Sequence, residues 1–455
     1  MTAIITEQLK RQIIGGIFED IEDSNGARYY IGIGKSTPWD DSSDTPITPV
    51  STERETRKFR SSLQSMKRVA SYSYVVPRYN WSSGTIYSAY NDNIVGHPTT
   101  PYYVITEEYG VYICIEQGKN VAGIPVASTV QPTGTLPTAY KTSDGYVWKF
   151  LYTVGTLDAT KFLSANYMPV RKQTATDENS LAVEIEQETI QNAAVPGQIA
   201  NIAIINGGTG YTSSPTVTLK GNGSGITVMD AEVTSGSVTR VTLLDDGSGG
   251  VVQGTNWDYG TVVFSGGGAT TTATARPVLG PRDGFGADPR VDLRSRAIMF
   301  NIKPTGDEDG EFLDEIEFRQ IGVIRNPYLD SAGDPFIAGA GMALSTMYVP
   351  GHTMVNHVGA TMTSVGTGGT AKGIIDKDSG DYIWYHQSEA TGFIPFENGK
   401  SVSDDQGGSG TITTAKIAPT VNPFSGEVLY IESRAKIQRE ASPPSTEDIK
   451  VIIEI

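Results

Sequence analysis

The sequence predicts a mainly β fold of the α+β class, and three observations carry that prediction. The first is composition: 455 residues with 51 Gly, 24 Pro and 22 Tyr, supplying turns and amphipathic contacts, and only 19% charged residues. The second is the stretch SDGYVWKFLY (Ser143 to Tyr152), where an Asp-Gly turn signal precedes alternating residues. On a period-two strand, Tyr146, Trp148, Phe150 and Tyr152 share one face. Each ring can bury about 150–250 Å², so at ~25 cal/mol per Å² the face contributes roughly 15–25 kcal/mol, an upper bound because unfolded chains are partly compact. A core or a permanent interface must cover it. The third is the segment from 197 to 280, where 17 of 84 residues are Gly, too many for helices, and Val and Thr fill the short runs between.

Length and charge bound the class. A chain of this length has material for two to four domains. The formal net charge of −16 repels phosphate backbones and anionic lipid, which disfavours a general nucleic-acid or membrane-surface role and leaves only local basic patches. The one cysteine, Cys114, sits between Ile113 and Ile115 and reads as a small buried hydrophobe in a protein assembled in reducing cytoplasm. MTAIITEQLKRQ lacks the apolar core of a signal peptide, and no run reaches the roughly 20 apolar residues of a spanning helix. The expectation is a soluble chain, neither secreted by that route nor embedded.

Two early helices are expected. Thr6 caps the first, from Thr6 to Phe18, with Leu9, Ile13, Ile14 and Ile17 at helical spacing. Tyr29 to Gly34 alternates like a strand. The second helix is expected from Glu53 to Arg68, because Thr52 and Glu55 have capping-box spacing and Phe59, Leu63 and Met66 form a stripe. Its Arg54, Arg57, Lys58, Arg60, Lys67 and Arg68 make it locally basic. A solvated face accounts for them, and an acidic partner protein is the other reading.

The chain then divides by pattern. Residues 1–196 form the first part of a core, and 197–280 an inserted β domain with an internal repeat. IANIAIINGGTG (Ile199 to Gly210) realigns on VTRVTLLDDGSG (Val238 to Gly249), and PTVTLKG (Pro215 to Gly221) on GTVVFSG (Gly260 to Gly266). Residues 281–335 continue the core. Residues 336–419 form a second Gly/Thr-rich β module, with GTGGTAKG (Gly366 to Gly373) and YIWYH (Tyr382 to His386). Residues 420–455 return to firm strands, VLYIES (Val428 to Ser433) and IKVIIEI (Ile449 to Ile455).

Motifs that carry chemistry fail on inspection. GIGKST (Gly32 to Thr37) has Tyr29 where a phosphate loop needs Gly and Pro38 where a helix must begin, and Thr37 occupies the third Gly position of a dinucleotide loop. DKDSGD (Asp376 to Asp381) misplaces the glycine of a calcium loop and has Gln387 at position twelve, and GDEDGE (Gly306 to Glu311) lacks the loop pattern. Both acidic runs read as solvated turns. His97, His352, His357 and His386 show no zinc spacing. No G-x-S-x-G elbow occurs, and acidic residues are too common to select a catalytic pair. No catalytic, cofactor-binding or metal-ligating residue is assigned, and no cofactor is expected.

Read together, SDGYVWKFLY, YIGIGKSTPWD (Tyr30 to Asp40), VVPRYNW (Val75 to Trp81), FRQIGVIRNP (Phe318 to Pro327), VLYIESR (Val428 to Arg434) and EDIKVIIEI (Glu447 to Ile455) are collinear segments. Taken in chain order, these segments make the chain resemble the baseplate wedge subunit called gene product eight in T-even-like contractile-tailed bacteriophages. The similarity covers roughly 1–196, 281–335 and 420–455 and leaves the two Gly-rich modules as loop insertions, where extra length costs little. The resemblance implies a multilayer β-sandwich with two short helices and a homodimer. It also implies a non-enzymatic place in the tail baseplate of the virion beside the other wedge proteins, which rearrange when the tail contracts.

The expected function is therefore that of a structural wedge subunit, not an enzyme, with no small-molecule substrate. The alternative is a tail-fibre or decoration protein that binds host-surface carbohydrate through its Gly/Tyr-rich inserts. Tyr211, Trp257, Tyr259, Trp384 and Tyr385 are the candidate stacking rings for that reading, with core packing as the other account of them.

Overall fold

The computed structural model describes residues 4–23, 26–40, 44–226, 229–247, 249–331, 333–442 and 446–455. The chain is mainly β, with 39% of residues in strands and 11% in helices. Its described sheets are built from antiparallel pairs, as the α+β class requires. Two compact units emerge: Met1–Arg11 with Ser73–Met299 and Glu454–Ile455, and Gln12–Tyr72 with Phe300–Ile453.

Five helices occur among the described residues: α1 (Glu7–Glu22), α2 (Glu53–Ser61), α3 (Thr156–Phe162), α4 (Ala182–Asn192) and α5 (Pro289–Asp292). The Thr6 hydroxyl accepts from the Leu9 amide at 3.3 Å, as its capping position requires. Of the α1 apolar stripe only Ile14 is buried, while Leu9 and Ile13 stay nearly half exposed. The Thr52 hydroxyl likewise caps α2 by accepting from Glu55 N at 3.2 Å.

The expected extent of α2 is corrected. It ends at Ser61, and Leu63–Arg68 is a strand. The Ser61 and Ser62 hydroxyls both donate to Lys58 O, which serves a carbonyl of the last turn and lets the chain leave the helix. Leu63 and Met66 are buried as a helical stripe would be, but on a strand that pairs with Tyr29–Gly34.

In the first unit, the Val147–Thr153 strand pairs with Gly110–Glu116. Tyr146, Trp148, Phe150 and Tyr152 are all buried, and Tyr87, Tyr112, Cys114 and Ile190 join the first three of them in one cluster. Tyr146 and Trp148 stack with centroids 5.6 Å apart, and Tyr87 meets Trp148 edge-on at 5.7 Å. The opposite face of the strand is covered too: Val147, Lys149 and Leu151 are buried. Burial pushes the Lys149 ammonium down to about 8, and its Nζ donates to Pro137 O.

The 197–280 segment of the same unit holds a core cluster of its own, including Ile199, Val217, Val238, Trp257 and Phe264. Corresponding strands of its two repeats pair directly, Thr216–Gly221 with Gly260–Ser265. The Asn201 amide fastens the segment to its surroundings by donating to Tyr90 O at 2.9 Å and Ile115 O at 2.7 Å.

In the second unit a five-stranded sheet runs in the order Ala340–Met342, Leu63–Arg68, Tyr29–Gly34, Ile316–Arg325, Glu427–Arg439. Gly32 lies opposite Gly322 in this sheet. A Cβ on Gly322 would meet Phe59 Cζ at 2.4 Å and one on Gly32 would meet Leu63 Cδ1 at 2.7 Å, so the glycine pair makes the hollow in which α2 seats Phe59. A seven-stranded sheet within Ser345–Ile417 has a separate core that includes Met347, Met362, Ile375, Ile383 and Ile412.

Candidate functional site

The second unit carries a cleft of about 760 Å³ lined by Lys35, Trp39, Ile47, Val50, Arg54, Glu55, Lys58, Gln320, His386 and Glu389 among others. Each wall follows from local structure. The Tyr29–Gly34 strand ends at Lys35, which turns into the left-handed region at φ 67° and anchors its amide to Ser62 O at 3.0 Å. That turn is the actual role of GIGKST: its glycines admit α2, and its lysine enters the cleft. On α2, Arg54 and Lys58 are one turn apart and project from one face.

A third wall is the hairpin of Gly369–Ser379 and Tyr382–His386. Its register slips between Ile375 and Lys377, leaving Asp376 as the extra residue of a β-bulge. A bulge re-aims a side chain, and here the Asp376 carboxylate turns inward. Its Oδ1 accepts from Gln64 Nε2 at 3.0 Å, and its Oδ2 pairs with His386 Nδ1 at 2.6 Å. Asp376 is fully buried, which corrects the reading of DKDSGD as a solvated turn. Next to it Lys377 pairs with Asp314 at 2.6 Å and lies over the Trp384 ring.

The cleft is cationic relative to the chain: Lys35, Arg54 and Lys58 face Glu55 and Glu389. Arg54 pairs with Glu389 at 3.0 Å and Lys58 with Glu55 at 3.7 Å, both partly exposed and therefore weak. Lys35 differs. Among the described residues its Nζ donates to neutral acceptors, Thr37 Oγ1 and Pro38 O at 3.3 Å each, and sits 4.7 Å from the Trp39 ring centre. Burial, aided by the nearby Arg319, holds the Lys35 pKa below the usual lysine range.

Other sequence candidates separate. His357 pairs with Asp404 at 2.6 Å. Burial raises the Asp404 pKa, but hydrogen bonds from His357, Gly408 and Gln406 outweigh it and hold the group low. His352 is buried, accepting from Met354 N, and His97 lies in the other unit. In GDEDGE, Glu308 holds Lys67 and Glu311 accepts from Met342 N. Among the described residues no group of three or more His, Cys, Asp or Glu is placed to hold a metal ion, and no described helix is long and apolar enough to cross a membrane.

Three of the five candidate stacking rings are core. Tyr211 accepts from Ala273 N, Trp257 donates to Ser224 O and Tyr385 donates to Ala415 O, all three being buried. Tyr259 is exposed and Trp384 half-buried. The cleft itself was missed by sequence reasoning, because a bulge and a strand-end turn place its residues and neither has a motif. The run of basic residues on α2 was the one available signal. No family model and no curated protein matches the chain.

Proposed function

We propose that this chain is a structural subunit of the baseplate wedge of a contractile-tailed bacteriophage, a homodimer that joins the other wedge proteins and acts without catalysis. One observation carries the reading. YIGIGKSTPWD, FRQIGVIRNP and VLYIESR, three of the segments on which the resemblance rests, come from opposite ends of the sequence, yet their strands lie side by side in one sheet. The residues between the last two hold the separate seven-stranded sheet, which suits a module inserted between two neighbouring strands of the five-stranded sheet.

Exposed apolar side chains suit a part that is buried on assembly. Leu9 and Ile13 stand one turn apart on α1, and Leu429 lies on the edge strand Glu427–Arg439, each nearly half exposed. In this reading the subunit is assembled in the host cytoplasm, resides in the virion tail, and takes neither nucleic acid, membrane nor small-molecule substrate as partner. Obligate contacts of such assemblies bury about 2,000 Å² or more. Light scattering on the purified chain at micromolar concentration should give twice the chain mass. A stable monomer contradicts the homodimer.

A further inference from the structure

In the first unit a lysine and an aspartate are buried on either side of one turn, and they form no ion pair with each other within 4.0 Å. Lys149 is 2% exposed and Asp292 0%. Lys149 Nζ donates to Pro137 O. Asp292 Oδ2 accepts from Gly286 N at 2.9 Å, whereas its Oδ1 is buried with no hydrogen-bond partner among the described residues. Gly286 stands between the two: its amide holds the carboxyl, and a Cβ on it would lie 3.5 Å from Lys149 Cε. Its φ of 89° suits glycine.

Asp292 closes a strap over the aromatic core. Within residues 280–292, Arg282 and Asp283 are exposed, whereas Gly284, Phe285 and Gly286 are buried. Phe285 meets Tyr90 edge-on at 5.0 Å, and Tyr102 Oη donates to Asp292 O at 3.1 Å. The charged groups acting on Asp292 are Asp288, on the strap itself, and Lys149, on the Val147–Thr153 strand. Asp288 is held by Arg290 at 2.8 Å, and Arg294 donates to Ile94 O. The phenols of Tyr90 and Tyr102 also feel Asp292, and α4 meets the turn through the uncharged Ile190. Burial pushes Asp292 up to about 8, because one amide compensates little for a carboxylate taken out of water.

We propose that Asp292 is a proton-operated latch: as a neutral acid it keeps the 280–292 strap seated on the aromatic core, and its ionisation releases the strap at Gly286. In the released strap the carboxyl meets water and titrates near its ordinary 3.8, so release sheds a proton and becomes easier as pH rises from about 4 to about 8. Lys149, pushed down to about 8, keeps its proton in both forms below that pH and contributes little there. The latch is independent of the assembly reading.

The test is hydrogen exchange followed by mass spectrometry on the full chain at pH 6 and pH 8, corrected for the intrinsic pH dependence of exchange. One proton shed per opening raises the opening equilibrium by up to about tenfold per pH unit. Peptides of the strap should therefore open at least about tenfold more at pH 8 than at pH 6. Asp292→Asn, neutral at both pH values, should remove the rise, and peptides of Gly110–Glu116 should show none in either protein. No rise in the parent strap overturns the proposal. So does a rise that persists in Asp292→Asn, and so does an equal rise in Gly110–Glu116, which would mark loosening of the whole unit. If Asp292→Asn does not fold, the comparison of strap and reference strand in the parent decides by itself.

Discussion

His97 shows what burial does to a single titratable side chain. Burial, with Arg296 beside it, pushes its pKa down to about 4, and its Nδ1 is buried with no hydrogen-bond partner among the described residues. The folded chain holds this ring neutral, whereas the unfolded chain protonates it near the ordinary value of 6.5. The resulting stability is complete above about 6.5 and is lost as pH falls through about 4. His97→Phe keeps an aromatic ring against Tyr103, 6.5 Å away, and should flatten the decline in melting temperature between pH 7 and 4 relative to the parent. Parallel curves would show that the ring is protonated equally in both states. At this scale the sequence is least transparent. Asp376 looked like one acid of a solvated turn, and only the bulge after Ile375 turns it onto Gln64 and His386.

At the scale of elements, legibility follows the strength of the local signal. Tyr29–Gly34 and the start of α2 were readable, because alternation and a Thr52 cap are written in neighbouring residues. The end of α2 was not: Phe59, Leu63 and Met66 fit a helical stripe, and strand pairing with Tyr29–Gly34 overrides it after Ser62. Helix α4 hid for another reason. Gln187 occupies its buried face and donates to Arg171 O at 2.7 Å, so the apolar period is broken by a satisfied polar side chain. Helices α3 and α5 have seven and four residues, too few for a period to register. The hollow for Phe59 gives this scale its prediction. Gly322→Ala places a methyl group 2.4 Å from the Phe59 ring and 3.0 Å from Tyr430 O, and should cost about 1–3 kcal/mol in urea unfolding. A cost near zero would mean that α2 can lift from the sheet freely.

For the whole molecule, the mainly β class was legible from composition and from the aromatic strand. That strand also shows the limit, since alternation identifies one apolar face and gives no hint that Lys149 on the other is buried as deeply. The cleft was illegible because Lys35, Arg54, Gln320 and His386 are brought together only by the fold. Function in this account is a property of surfaces. Strands distant in sequence share one sheet, the glycine-rich segments carry cores of their own, and apolar side chains such as Leu9, Ile13 and Leu429 are exposed. The measurement that tests the proposed wedge role most directly is a cryo-electron reconstruction of a contractile tail tip isolated from cells that produce the chain. The proposal predicts two copies in each baseplate wedge, with continuous density to neighbouring wedge proteins. A tail tip complete without this chain would contradict it.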